Sequence, residues 1–368
     1  MDIENMIMPG TLKYDLDTPA FLIDLDLMEE NIRKMASYFE TRHADLRPHM
    51  KHHKTPVIAH KQIAAGAIGV CCQKLGEAEV MVEGGIRDIL ITYEVVGTIK
   101  IRRLMALCRQ ANMMVIVDDP HNVQNLSEAA QAFNIELGVL VDINTGQNRT
   151  GVEPGEPAST LATIVANCQG LQLRGICGYA GHIQGLEDLT ERTEKDQEAM
   201  EKVMVSIEAM RKVNLPVDIV SAGGTGTYKL TGNHPEVTEV QAGSYVLMDA
   251  QYRRVLTDFE SSGTVLASVI SRPTPDRAVL DSGMKAISVD QWPPVVKSVE
   301  GVQISKVSDE HLVVTLTSND ARQLRPGDKV EIIPGHNDTT VNLHSHFFAL
   351  RNGTLEAVWA VGARGKIR

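Results

Sequence analysis

A chain of 368 residues, 43% hydrophobic and 23% charged, has the apolar material for a large core and the length for two domains. Its formal charge of −11 argues against a nucleic acid or an anionic membrane surface as the main partner. No apolar stretch reaches the length that spans a bilayer, and the opening segment MDIENMIMPG lacks the basic start and apolar run of a secretory signal.

In chain order, a helix over 27–40 precedes a first strand-like run at 44–51. Further runs follow at 67–72, 88–94, 113–119, 136–143, 173–181, 217–224 and 237–243. Several are almost continuously apolar, as expected of parallel strands buried on both faces. Helical patterns at 97–112, 120–133, 157–167 and 186–213 lie between them, while the link 225–236 has room for only a short helix. Eight strands alternating with helices predict an α/β fold of the (β/α)8 TIM-barrel type, with a doubly wound open sheet as the alternative. After residue 262 the helical patterns stop. Strand-like runs such as TVLASVISRP, HLVVTLTS and DKVEIIPG, broken by Gly, Pro, Asp and Ser, predict a C-terminal antiparallel β domain. The expected organisation is a barrel over 20–262 and a β domain over 263–368, with residues 1–19 packing on the latter. Five cysteines, at 71, 72, 108, 168 and 177, form no CxxC and read as reduced thiols of a cytoplasmic protein.

Barrel enzymes carry their sites at the C-terminal ends of the strands. By that rule Lys51, in the basic stretch RPHMKHHK (47–54), ends strand one, and Arg149 follows strand five. Tyr179 and His182 end strand six. Strand seven runs into SAGGTGTY, where Ser221, Gly223, Gly224 and Thr225 offer hydroxyls and bare backbone; strand eight runs into Gly243, Ser244 and Tyr245. Loops after strands seven and eight of a barrel often bind a phosphate through backbone N–H groups. A phosphate loop opposite a rim lysine points to pyridoxal phosphate, which a lysine holds as a Schiff base and whose ring withdraws electrons.

The stretches DTPAFLIDLDLMEENI (17–32), RPHMKHHK, GICGYAGH, SAGGTGTY and QAGSYV resemble the D-threonine aldolase and D-serine dehydratase family, pyridoxal phosphate enzymes of the alanine racemase-like fold. The likeness runs through nearly the whole chain in order, and RPHxKxHK is its specific signature. The resemblance implies that Lys51 is the cofactor lysine and Lys54 the second lysine of the motif. It implies Arg149 on a cofactor or substrate oxygen, Tyr179 by the pyridine nitrogen, and a homodimer with active sites near the subunit interface.

In PGHNDTTVNLHSH (334–346), His336 and Asp338 stand at i and i+2 and on a strand would share a face. An imidazole with a carboxylate suits a divalent ion, although two such residues alone read more readily as a polar turn. The resemblance implies a metal pair here, His-x-Asp in the aldolases and commonly His-x-Cys in the dehydratases, so Asp338 points to the aldolase branch. Manganese is the first expectation, with magnesium, cobalt and zinc as alternatives. His344 and His346 have no expected role beyond contacts behind the ligands. In one place the chain departs from the aldolase pattern: Gly185 in GHIQG stands where a basic histidine often follows. His182, His52, His53 or a metal-bound hydroxide then remain as the base.

The expectation is a metal-assisted, pyridoxal phosphate-dependent aldolase that cleaves a small D-3-hydroxy amino acid, of the D-threonine or D-3-hydroxyaspartate type, to glycine and an aldehyde. A dehydratase acting on D-serine or D-3-hydroxyaspartate, giving a 2-oxo acid and ammonia, is the alternative. A non-catalytic pyridoxal phosphate-binding protein is a third reading, against which the β domain with its metal pair speaks.

Overall fold

The computed structural model describes residues 8–368; residues 1–7, which carry most of the opening segment discussed above, lie outside the described residues. Among the described residues, eight parallel strands form one sheet: Asp45–Leu46, Val70–Cys72, Asp88–Glu94, Asn112–Val117, Leu137–Asp142, Leu171–Gly178, Ile219–Ala222 and Glu239–Val240. These are the eight expected runs. Leu137–Asp142 is buried at every position, which explains its continuous apolar sequence. The first strand pairs with the eighth, and Ile68 and Cys71 donate backbone N–H groups to the Leu46 and Pro48 carbonyls at 3.0 and 2.9 Å, closing the circle. Cys71, Leu90, Met114, Ile116, Leu140 and Cys177 fill the interior. The tight link after strand seven holds a 3-10 turn, Thr225–Thr227, and the short helix Tyr228–Thr231, as its length required.

Strand one is shorter than its sequence suggested. Its regular span ends at Leu46, just before Pro48; the Arg47 and His49 N–H groups still reach the Val240 and Ala242 carbonyls at 3.0 and 3.3 Å, and Lys51 falls in a single 3-10 turn, Met50–His52.

Arg47, the first residue of the basic stretch, is structural. It is 3% exposed; its Nε donates to Glu239 Oε2 at 2.9 Å and its Nη1 to Asp88 Oδ1 at 2.5 Å. Burial opposes its charge, but the carboxylate of Glu239 above all holds the guanidinium protonated beyond its ordinary range. The pair ties strand one to strand eight. Replacing Arg47 by Met would leave Glu239, itself 2% exposed, as an uncompensated buried charge. Denaturant unfolding of Arg47→Met is expected to show a loss of about 3–5 kcal/mol; a midpoint equal to that of the parent protein would show the pair to be dispensable.

The chain forms two compact units, which do not follow a single cut. The barrel unit spans 35–51, 56–243 and the last four residues; the other holds residues 8–34, 52–55 and 244–364. The second unit is built on a mainly antiparallel sheet. Its central strand, Ala20–Asp24, pairs antiparallel with Gly263–Thr274 and parallel with His346–Arg351. Gly263–Thr274 pairs in turn with Lys329–Ile333 and Arg277–Leu280. Leu16, Leu22, Leu266, Phe348, Leu350 and Leu355 form the core against this sheet. Residues 20–34 and 244–262, placed with the barrel by the sequence pattern, belong to this unit because Ala20–Asp24 is a sheet strand. No disulfide joins the five cysteines, and no helix is long and apolar enough to cross a membrane, among the described residues.

Candidate active site

In the barrel unit the rim gathers several of the expected residues. Lys51 is half-buried in its 3-10 turn, with its N–H directed to His49 Nδ1 at 3.3 Å. Tyr179 follows the sixth strand, and the guanidinium of Arg149 lies 5.7 Å from its ring centre. Gly224 faces the same tyrosine: a Cβ there would come within 2.7 Å of Gln184 Oε1 and 3.3 Å of Tyr179 Cε2. Gly223 has φ +68°, a conformation that glycine adopts without the Cβ clash. Thr225 opens the 3-10 turn Thr225–Thr227 and is 2% exposed. Gly243 packs on strand one, where a Cβ would meet the His49 carbonyl at 2.6 Å.

The glycine loop rests on a polar scaffold. Gln184 accepts the Gly226 N–H at 3.0 Å and donates to Thr227 Oγ1 at 3.1 Å. Thr231 donates to Asp196 Oδ1 at 2.5 Å, and burial pushes the Asp196 carboxyl up to about 6 against that hydrogen bond. Ser221 lies inside the strand instead, fully buried, with Oγ accepting the Gln241 amide at 2.8 Å. Ser244 and Tyr245 fall in the other unit, where Tyr245 is buried with its ring centre 5.6 Å from that of Phe259.

Three carboxylates went unnoticed in the sequence. Glu94, Asp118 and Asp142 stand at the ends of strands three, four and five, and burial raises the pKa of Glu94. Burial pushes Asp142 up to about 7; the hydroxyl of Thr150, 2.9 Å away, and the charge of Arg149 pull the other way. The rule that pointed to Arg149 and Tyr179 points equally to these acids. Two of them, Glu94 and Asp142, feel the charge of Arg149, and Asp118 Oδ2 accepts the Gly151 N–H at 3.1 Å.

His182 sits in the turn after strand six and is exposed. Partial burial, then the Lys202 ammonium, hold its imidazole below the ordinary range, so it is neutral at neutral pH. His52 and His53 are 1% and 0% exposed. His53 Nδ1 takes the Thr55 N–H at 3.3 Å, and both nitrogens of His52 are turned into the protein. Among the three histidines considered for the base, His182 alone presents an exposed ring.

In the second unit, the expectation that His336 and Asp338 share a strand face is corrected. His336 is the N-cap of a short helix, Asn337–Val341, and Asp338 lies in its first turn. Asp249 explains the change. This fully buried carboxylate accepts the Asn337 N–H through Oδ2 at 3.1 Å and the Tyr252 N–H through Oδ1 at 2.9 Å, so the helix start is pinned to it. The same Oδ2 takes the His336 Nδ1–H at 3.2 Å. That leaves His336 Nε2 as the lone-pair nitrogen, 3.8 Å from Asp338 Oδ2. Asp338 Oδ1 accepts from His52 Nδ1 at 2.6 Å. His344 is engaged elsewhere, bonded to the Ala286 carbonyl at 2.7 Å and edge-on to Phe21.

Residues 23–251 match the model of the alanine racemase N-terminal domain, and 262–350 match that of a serine dehydratase domain. A 3-hydroxy-D-aspartate aldolase from Paracoccus denitrificans is 38% identical over 98% of this chain and 95% of its own length. The chain belongs to the D-threonine aldolase and D-serine dehydratase family. A D-threonine aldolase of Arthrobacter sp. shares 36% identity over 97% of this chain and 95% of that protein. The solved D-threonine aldolase from Filomicrobium marinum superposes with a TM-score of 0.96 at 40% identity, covering 98% of this chain and 100% of that one. Dehydratases of the family are more distant.

The family uses pyridoxal phosphate, and the rim fits it. A loop without side chains at Gly223 and Gly224, packed by Tyr179, whose ring has the Arg149 guanidinium 5.7 Å from its centre, suits an anionic aromatic cofactor. The pair in the second unit offers one imidazole nitrogen and one carboxylate oxygen, a donor set suited to a divalent first-row ion. No group of three or more His, Cys, Asp or Glu side chains is arranged around an ion among the described residues, so the fit rests on two protein donors.

Proposed function

We propose that this member of the family is a pyridoxal phosphate- and divalent-metal-dependent aldolase, cleaving D-3-hydroxy amino acids of the D-threonine or D-3-hydroxyaspartate type between Cα and Cβ. The observation that carries the reading is the oxygen donor Asp338 beside His336 Nε2, in a chain 36–38% identical over nearly its full length to proteins named as aldolases.

Lys51 would hold the cofactor's carbonyl carbon, Gly223, Gly224, Thr225 and Gly243 its phosphate, and Arg149 and Tyr179 its ring substituents. Pyridoxal phosphate supplies, when bound, an electron sink for the breaking carbon–carbon bond. His336 and Asp338 would hold the metal, manganese by preference, whose chemistry is to lower the pKa of a bound hydroxyl. Neutral His182 accepts a proton at its exposed ring. Tyr179 presents a phenol, and a neutral partner on the pyridine nitrogen keeps the ring less electron-withdrawing than a charged one. We place the enzyme in the cytoplasm as a homodimer, in keeping with its cysteines without disulfides and with its family.

The serine dehydratase match over 262–350 favours dehydration as the second reading. One experiment separates the two. The purified protein is incubated with a panel of D-3-hydroxy amino acids, with and without chelator. Glycine plus an aldehyde, formed only without chelator, is expected. A 2-oxo acid with ammonia would overturn the aldolase reading.

A further inference from the structure

His52 immediately follows Lys51 in the chain, yet its ring does not serve as a base. It is 1% exposed, and its Nδ1 reaches Asp338 Oδ1 at 2.6 Å. A carboxylate can only accept, so Nδ1–H is the donor. The opposite nitrogen, Nε2, is buried without a hydrogen-bond partner. Leaving a polar atom unsatisfied costs stability, and an apolar side chain of similar size would avoid that cost. The hydrogen bond the ring makes to protein is the one to Asp338.

That bond fixes one oxygen of Asp338 and leaves Oδ2 on the side of His336 Nε2. Asp249 does the same for His336 by taking Nδ1–H. Each of the two donors is thus held from behind. We propose that His52 is a positioning residue for a divalent-metal site: by holding Oδ1 it orients the Asp338 carboxylate with Oδ2 toward His336 Nε2. The inference rests on His336 and Asp338 being the ligands, the reading given above. Hydrogen bonds behind the ligands of a metal commonly change its affinity 10–100-fold.

The test is a manganese titration of the cofactor-loaded protein, with free ion followed by electron paramagnetic resonance. The parent protein should bind the ion and His336→Ala should not; binding unchanged in His336→Ala would remove the ligand reading, and this proposal with it. His52→Leu removes the donor without leaving a buried unsatisfied nitrogen, so it should fold. Its manganese affinity should fall by about 10–100-fold. His52→Asn places an amide N–H near the position of Nδ1 and should recover most of that loss. A role in packing alone predicts the opposite order, because leucine fills the site better than asparagine. Parent-like affinity in His52→Leu, or no recovery in His52→Asn, with His336→Ala still unable to bind, would overturn the positioning role and leave the ligands standing.

Discussion

Lys51→Ala will lose the long-wavelength absorbance of the bound cofactor and nearly all turnover, while Lys54→Ala will keep the absorbance. The two lysines are three residues apart, and they fall in different units. Lys51 is half-buried in the turn that follows Pro48, in the barrel unit whose rim carries Tyr179, Arg149 and the glycine loop. Lys54 belongs to the other unit, at 8% exposure and φ +55°, with its carbonyl accepting the Ala363 N–H at 2.9 Å. Borohydride reduction of the holoenzyme followed by peptide mass mapping decides the matter. Cofactor mass on the peptide at Lys51 is expected; the same mass on Lys54 would reverse the assignment.

Chelation is expected to stop turnover and spare the cofactor's absorbance, since the proposed bond of Lys51 to the cofactor does not need the ion. His336→Ala should reproduce the chelated protein, and excess manganese should not restore it. Removing metal assistance to deprotonation costs several kcal/mol of transition-state stabilisation, hence roughly a thousandfold or more in rate. Asp338→Cys keeps a ligand but softens the site toward zinc, and lower aldolase activity is expected of it. Metal-free protein that still cleaved D-threonine or D-3-hydroxyaspartate at full rate would refute the metal's part.

The barrel was legible because strands buried on both faces have no polar positions to blur them, as Leu137–Asp142 illustrates. The same property hid Ala20–Asp24: five apolar-rich residues run straight into the helix Leu25–Phe39 with no Gly or Pro between. Asp24 marks the change only through Oδ1, which accepts the Leu27 N–H at 3.1 Å. At the site, residues on strand ends were legible because the barrel dictates where strand ends go. Glu94, Asp118 and Asp142 obeyed the same rule and were within reach of it. Asp249 and His52 were not. They stand 87 and 286 positions from the residues they hold, and no local pattern links an aspartate after QAGSYV to a histidine in PGHND. The helical start at Asn337 was illegible for the same reason, since a distant carboxylate takes its N–H.

The ion pair of Arg47 with Glu239 also governs when this protein can exist. The two residues are 192 positions apart, so a nascent chain carries Arg47 and its nearer partner Asp88 long before Glu239 is synthesised. Until then strand one has no eighth strand to pair with, and burying its guanidinium lacks the Glu239 carboxylate that offsets most of the cost. The seam between the first and last strands is therefore the late, non-local step of folding, and barrel closure waits for most of the chain. Fragments ending before residue 239 should expose an open sheet edge, whereas chains that include the eighth strand remove that edge when the two strands pair.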